Sequence, residues 1–131
     1  MIVLDTHVLI WWLSGARKLT ARASREVRSA KSGSPALVSA ISTFEIATAV
    51  RRGRLELSVP LENWFADLSA LPEVRIQPVT QEIALLGAQF PDEAPGDPAD
   101  RLIAATALVH GARLVTADSR LRGLPQLQTV W

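Results

Sequence analysis

Asp5, Glu45 and Asp118 fall where a short apolar run gives way to a helical pattern, and Asp97 and Asp100 open the helix after a breaker-rich loop. Asp5 stands inside MIVLDTHVLIWWL, an otherwise apolar stretch. A carboxylate is costly there unless it is paired, hydrogen-bonded or bound to a metal. Two chemistries suit these acids. Each can be a helix cap: Ser42-Thr43-Phe44-Glu45 has the form of a capping box, and Asp97-Pro98-Ala99-Asp100 offers a cap, a first-turn proline and a following acid. Asp5 and Asp118 suit simple caps. Alternatively, the acids converge. Like charges held together raise one another's pKa, and a hard cation with oxygen ligands, Mg²⁺ or Mn²⁺, relieves that repulsion. Glu45 and Asp100 can cap and coordinate through different oxygens, so the two readings are compatible.

Other catalytic apparatus is sparse. There is no cysteine, which excludes a thiolate nucleophile, a thiolate metal site and disulfides. His7 and His110 are the only histidines and give a serine triad little support. His7 lies close to Asp5 in sequence and is either a general base or an exposed first-turn residue. His110 precedes Gly111 at a helix end, where a cation suits the dipole.

The elements that must place these residues alternate along the chain. Short strands are expected at Ile2–Leu4, Ala36–Val38, Val74–Ile76, Arg113–Thr116 and Leu127–Val130. Helices are expected at His7–Ser14, Thr20–Ser32, Ser42–Arg52, Pro60–Leu71, Thr80–Gln89 and Pro98–His110, with a short turn at Ser119–Arg122. Phe90–Gly96 is a loop rich in breakers. Continuous apolar strands alternating with helices predict an α/β fold, a mostly parallel sheet with helices on both faces. In such a sheet ligands bind outside the carboxyl ends of the strands, the edge on which the acids fall. The length suits one domain over residues 1–131.

The net charge of +1 does not argue for nucleic acid, so any electrostatic footprint must be local. Arg17, Lys18, Arg22, Arg25, Arg28 and Lys31 spiral around the second helix, and Arg51, Arg52 and Arg54 cluster after the Glu45 helix. Both sets are solvated faces or phosphate contacts, and Arg101 can pair with a carboxylate or a phosphate. With no tyrosine and few aromatics, a stacking platform is disfavoured. Trp11 and Trp12 point about 100° apart on a helix, so one of them, like Trp64, is a surface residue available to a partner. No signal peptide or bilayer span is evident, and a cytoplasmic protein is expected.

Four segments in order resemble the PIN-domain family, and within it the VapC-type ribonuclease toxins of toxin–antitoxin pairs. They are Val3-Leu4-Asp5-Thr6-His7-Val8-Leu9-Ile10-Trp11, Val38-Ser39-Ala40-Ile41-Ser42-Thr43-Phe44-Glu45-Ile46-Ala47, Asp97-Pro98-Ala99-Asp100-Arg101-Leu102-Ile103-Ala104-Ala105-Thr106-Ala107 and Leu114-Val115-Thr116-Ala117-Asp118. The resemblance implies that Asp5, Glu45, Asp100 and Asp118 form an acidic quartet holding Mg²⁺ or Mn²⁺. Thr6 and Thr116 match the supporting hydroxyls, and Asp97 matches an often acidic position, assigned to capping first and metal second. It further implies cleavage of RNA, a homodimer and an antitoxin lying over the site. A nuclease acting on DNA and a non-catalytic PIN-like interaction module are the alternatives, though no acid of the quartet is missing. A phosphate-receiver domain would need a late lysine, yet the lysines are Lys18 and Lys31. A dehalogenase-type phosphatase would need aspartate at position 7, where His7 stands.

Overall fold

Short strands such as Ile2–Leu4 and Ala36–Ser39, buried at every residue, survive only when layers cover both of their faces. The computed structural model describes all 131 residues. Strands β1 (Ile2–Leu4), β2 (Ala36–Ser39), β3 (Val74–Gln77), β4 (Arg113–Val115) and β5 (Thr129–Val130) form one sheet ordered β3-β2-β1-β4-β5. Every neighbouring pair is parallel. The helices are α1 (Thr6–Ser14), α2 (Ala21–Arg28), α3 (Ala40–Arg51), α4 (Leu61–Ala70), α5 (Gln81–Ala88), α6 (Pro98–Val109) and α7 (Ser119–Arg122). No helix is long and apolar enough to cross a membrane.

Successive strand residues enter opposite cores. Val3, Leu37 and Leu114 join Ile83 of α5 and Ile103 of α6 on one face. Leu4, Val38 and Val115 join Leu9 of α1, Val27 of α2 and Leu68 of α4 on the other. The α/β fold with helices on both faces is therefore as the sequence implied.

The strand order fixes where a site can form. From β1 the chain builds β2 and β3 on one side, then returns to lay β4 and β5 on the other. The direction reverses between β1 and β4, which leaves a crevice at their carboxyl ends. Leu4 pairs with Val115 there, and the ladder continues as the Asp5 N–H donates to the Val115 carbonyl at 3.1 Å. Asp5 and the Thr116–Asp118 segment thus flank the crevice.

Helix α6 brings the remaining acids. It packs closely on α5 at Gly87, where a Cβ would lie 3.2 Å from the Arg101 carbonyl oxygen. Arg101 then ties down the preceding loop: Nε donates to the Pro95 carbonyl at 2.8 Å, and Nη1 and Nη2 reach Phe90, Gly87 and Pro91 carbonyls at 2.9, 3.2 and 3.1 Å. Its guanidinium is a clamp on backbone and pairs with no carboxylate, contrary to the expectation from sequence.

Several other boundaries differ, most by a residue or two, with β5 reduced from Leu127–Val130 to Thr129–Val130, and three have a clear local cause. Helix α2 ends at Arg28 and not Ser32, because the Ser29 hydroxyl donates to the Glu26 carbonyl and no apolar stripe continues beyond. Helix α3 begins at Ala40, capped by Ser39, whose hydroxyl oxygen accepts from Ile41 N–H at 3.2 Å. Pro60 stands at the cap of α4, outside its first turn.

Candidate metal centre

The crevice gathers all five acids. Asp5 follows β1 and is only 6% exposed. Its Oδ1 accepts from Thr6 N–H at 2.8 Å, and its Oδ2 accepts from the Thr116 hydroxyl at 2.7 Å. Thr116 is fully buried and also accepts the Asp118 N–H at 3.0 Å. One hydroxyl therefore stitches β1 to the start of α7 across the crevice.

Thr6 makes the same kind of link to α3. Its hydroxyl meets Glu45 Oε1 at 2.5 Å and Ser42 Oγ at 2.7 Å. A carboxylate only accepts, so Thr6 donates to Glu45 and Ser42 donates to Thr6. This corrects the capping-box reading. Ser42 is fully buried inside α3, a full turn past the real cap at Ser39. That earlier start turns Glu45 toward the crevice.

The other three acids do cap or open helices. Asp97 Oδ1 accepts from Ala99 N–H at 2.9 Å, with Pro98 at the first helical position. Asp118 Oδ1 accepts from Arg120 and Leu121 N–H at 2.8 and 3.2 Å. Asp100 lies one turn into α6 and serves no cap. Glu45, Asp97 and Asp100 each bring a carboxylate oxygen to within 4.8 Å of the others. Asp97, read from sequence as a cap first, thus belongs to the tightest group as well. Asp5 and Asp118 complete a wider ring around it.

Charge in this ring is poorly compensated. The one ion pair in the protein is Arg113–Glu26 at 2.6 Å, remote from the crevice. Burial raises the Asp5 carboxyl above its ordinary value, opposed by the Thr116 and Thr6 hydrogen bonds. Burial likewise raises Glu45, opposed by Thr6 and reinforced by Asp97 and Asp5. Asp100 is pushed up to about 7, by burial first and then by Asp5, Asp97, Glu45 and Asp118. Five carboxylates facing one another without a cation are unfavourable by themselves. The donor set fits a divalent oxygen-seeking ion: all ligands are oxygen, and Glu45, Asp97, Asp100 and Asp118 each keep an oxygen outside the local hydrogen bonds.

His7 is exposed, its ring 5.8 Å from that of Trp11, and no carboxylate pairs with it. His110 Nδ1 lies 2.9 Å from the Thr106 carbonyl at the end of α6. Trp12, Trp64 and Trp131 are half-buried against the core, which for Trp64 corrects the surface position expected from sequence, and Trp11 is the outward tryptophan of its pair. Ser42 is the participant that sequence reasoning misplaced; the signal available was Ser39 immediately before Ala40, at the end of an apolar strand.

The chain and its fold resemble those of known proteins. A family model described as PIN domain matches residues 2–127. Ribonuclease VapC22 of Mycobacterium tuberculosis is 40% identical over 132 residues, covering 99% of this chain and 98% of that protein. The crystal structure of FitAcB from Neisseria gonorrhoeae superposes with a TM-score of 0.69 at 26% identity, covering 98% of this chain and 96% of that one. The structure of VapBC-1 from nontypeable Haemophilus influenzae gives a TM-score of 0.72 over 98% and 96% of the two chains; at 19% identity it speaks to the fold alone.

Proposed function

As the chain belongs to the PIN-domain family, and within it to the VapC branch, we propose that it is a divalent-metal-dependent endoribonuclease, the toxin of a toxin–antitoxin pair. The observation that carries the reading is the convergence of Asp5, Glu45, Asp97, Asp100 and Asp118 on the β1/β4 crevice, with no lysine or arginine among them and only His7 near enough to oppose their charge. Asp5, Glu45, Asp100 and Asp118 would hold Mg²⁺ or Mn²⁺, with Asp97 as a further ligand. Bound there, the ion would supply the Lewis acidity and charge neutralisation that phosphodiester hydrolysis requires at neutral pH. Thr116 fixes both Asp5 and the Asp118 backbone, while Thr6, backed by Ser42, fixes Glu45. These hydroxyls position ligands and need no contact with substrate.

An antitoxin and a second copy of the chain are the proposed protein partners, in the cytoplasm. Phe44 on α3 and Leu85 on α5 are 68% and 60% exposed, large apolar side chains of the kind that protein interfaces cover. The substrate is tested by offering RNA and DNA of one sequence, each single-stranded, with Mn²⁺ and with EDTA. RNA should be cut in Mn²⁺ alone. Cleavage of the DNA with the RNA left intact would overturn the ribonuclease reading.

A further inference from the structure

Beside the acidic crevice, at the carboxyl end of β5, the surface changes sign. Arg22 in the first turn of α2 and Arg122 of α7 line a cleft of about 390 Å³ with Ser119, Gly123, Thr129 and Trp131. The guanidinium groups of Arg101, Arg113 and Arg120 are occupied by protein oxygens. Those of Arg22 and Arg122 meet no carboxylate. Two like charges facing one small polar cleft repel each other, and an anion between them reverses the sign of that interaction. The planar fork of a guanidinium matches phosphate geometry.

The cleft borders the acidic centre. Ser119 follows Asp118, and Thr116 N–H donates to the Val130 carbonyl at 3.2 Å. An aromatic row joins the two along another line. The Trp131 and Trp11 rings lie 6.0 Å apart, and Trp11 and His7 5.8 Å apart, with His7 two residues beyond Asp5. Lys18 Nζ sits 5.5 Å above the Trp11 ring. Aromatics are scarce in this chain, yet the fold sets three rings between the acids and the two arginines. Arg17 and Arg28 line a neighbouring cavity with Trp11 and Trp12, whereas Arg51 and Arg52 end α3, which runs away from the carboxyl edge.

We propose that Arg22 and Arg122 form a phosphate subsite for the single-stranded RNA flanking the bond to be cut, with Trp131 and Trp11 as the stacking row that leads to it. The inference rests on the ribonuclease reading and adds the path of the substrate. Guanidinium–phosphate contacts hold the strand and release counterions, and stacking on Trp tolerates any base.

The test is binding of a short fluorescent single-stranded RNA across a salt series in EDTA, where it stays uncut. Arg22→Gln/Arg122→Gln should bind roughly tenfold more weakly at low salt, with the slope of log affinity against log salt reduced by about 1.4, near 0.7 for each lost contact. Arg122→Gln alone, at an exposed position, should give about half that change in slope. Arg51→Gln/Arg52→Gln should keep the wild-type slope, and thermal melts confirm that each variant folds. Unchanged affinity and slope in the double variant, with wild type binding and cutting RNA, overturns the subsite alone. Unchanged RNA binding with lost affinity for a polyglutamate peptide also overturns it, and assigns the cleft to an acidic protein segment. If wild type neither binds nor cuts RNA, the ribonuclease reading fails together with the subsite.

Discussion

Asp100 accepts no hydrogen bond, and burial with four neighbouring acids pushes its carboxyl up to about 7. The unfolded chain releases that proton near the ordinary aspartate value of about 3.9. Between these values the folded state holds a proton that the unfolded state lacks. The associated stability is fully present below about pH 4 and is lost as pH rises through about 7. The melting temperature of the cation-free protein should therefore fall on going from about pH 5 to pH 8. Asp100→Asn should flatten that dependence and melt higher than wild type at pH 8 in EDTA. A parallel pH dependence in the two proteins would show that Asp100 does not carry the repulsion. Thr116→Val acts in the opposite direction, because it leaves Asp5 Oδ2 and the Asp118 N–H without their partner; urea unfolding should show a loss of about 1–3 kcal/mol. The acids were legible as candidates because they fall at the starts of helices; capping accounts for each one alone, and only their joint placement on one sheet edge pointed to a cation. Ser42 was not, because its partner Thr6 lies 36 positions away and only the packing of α1 on α3 joins them.

A shift in where α3 begins decided which way Glu45 faces. Local pattern favoured Ser42 as the cap because Ser-x-x-Glu is the more familiar start signal, yet Ser39 leaves β2 in extended geometry and caps first. The whole capping box is thereby drawn into the helix and its hydroxyl and carboxylate are released to the crevice. Ser39→Ala should cost about 1 kcal/mol in stability, as ordinary cap removals do; Ser42→Ala should shift the cation dependence of folding more than its size suggests, because it slackens Thr6. The Phe90–Gly96 loop shows the complementary case. Its breakers announced a loop, but nothing local announced that Arg101 would hold it through three of its carbonyls and tie it to the Gly87 carbonyl of α5. Arg101→Gln should destabilise the protein by about 2–3 kcal/mol, since several charged hydrogen bonds to partly buried carbonyls are lost. Arg101→Lys should rescue little, because an ammonium cannot reproduce the fork. Equal stability of wild type and Arg101→Gln in urea would show that the loop holds itself.

At the scale of the molecule, the order β3-β2-β1-β4-β5 creates the site. Alternating elements were enough to read an α/β fold with parallel strands. Strand order was beyond local pattern, because strands of two to four apolar residues carry no label of their neighbours. The family resemblance supplied what periodicity lacked, by implying that Asp5 and Asp118, which follow β1 and β4, belong to one acidic quartet. Production of the protein alone in a bacterial host should slow growth, and co-production of its antitoxin should restore it. Normal growth with soluble, cleavage-competent protein and no antitoxin would remove the toxin role. The claim that joins all scales is that the gathered carboxylates hold the ion on which RNA cleavage depends. It is tested by the initial rate of cleavage of one defined RNA, measured against Mg²⁺ concentration for wild type, Asp5→Asn and Asp100→Asn. Wild type should show a saturable rise that EDTA abolishes, and both asparagine variants should fall by about a hundredfold or more, the scale on which loss of one charge-stabilising group acts. Undiminished cleavage in EDTA, or wild-type rates in both variants at saturating Mg²⁺, would contradict it.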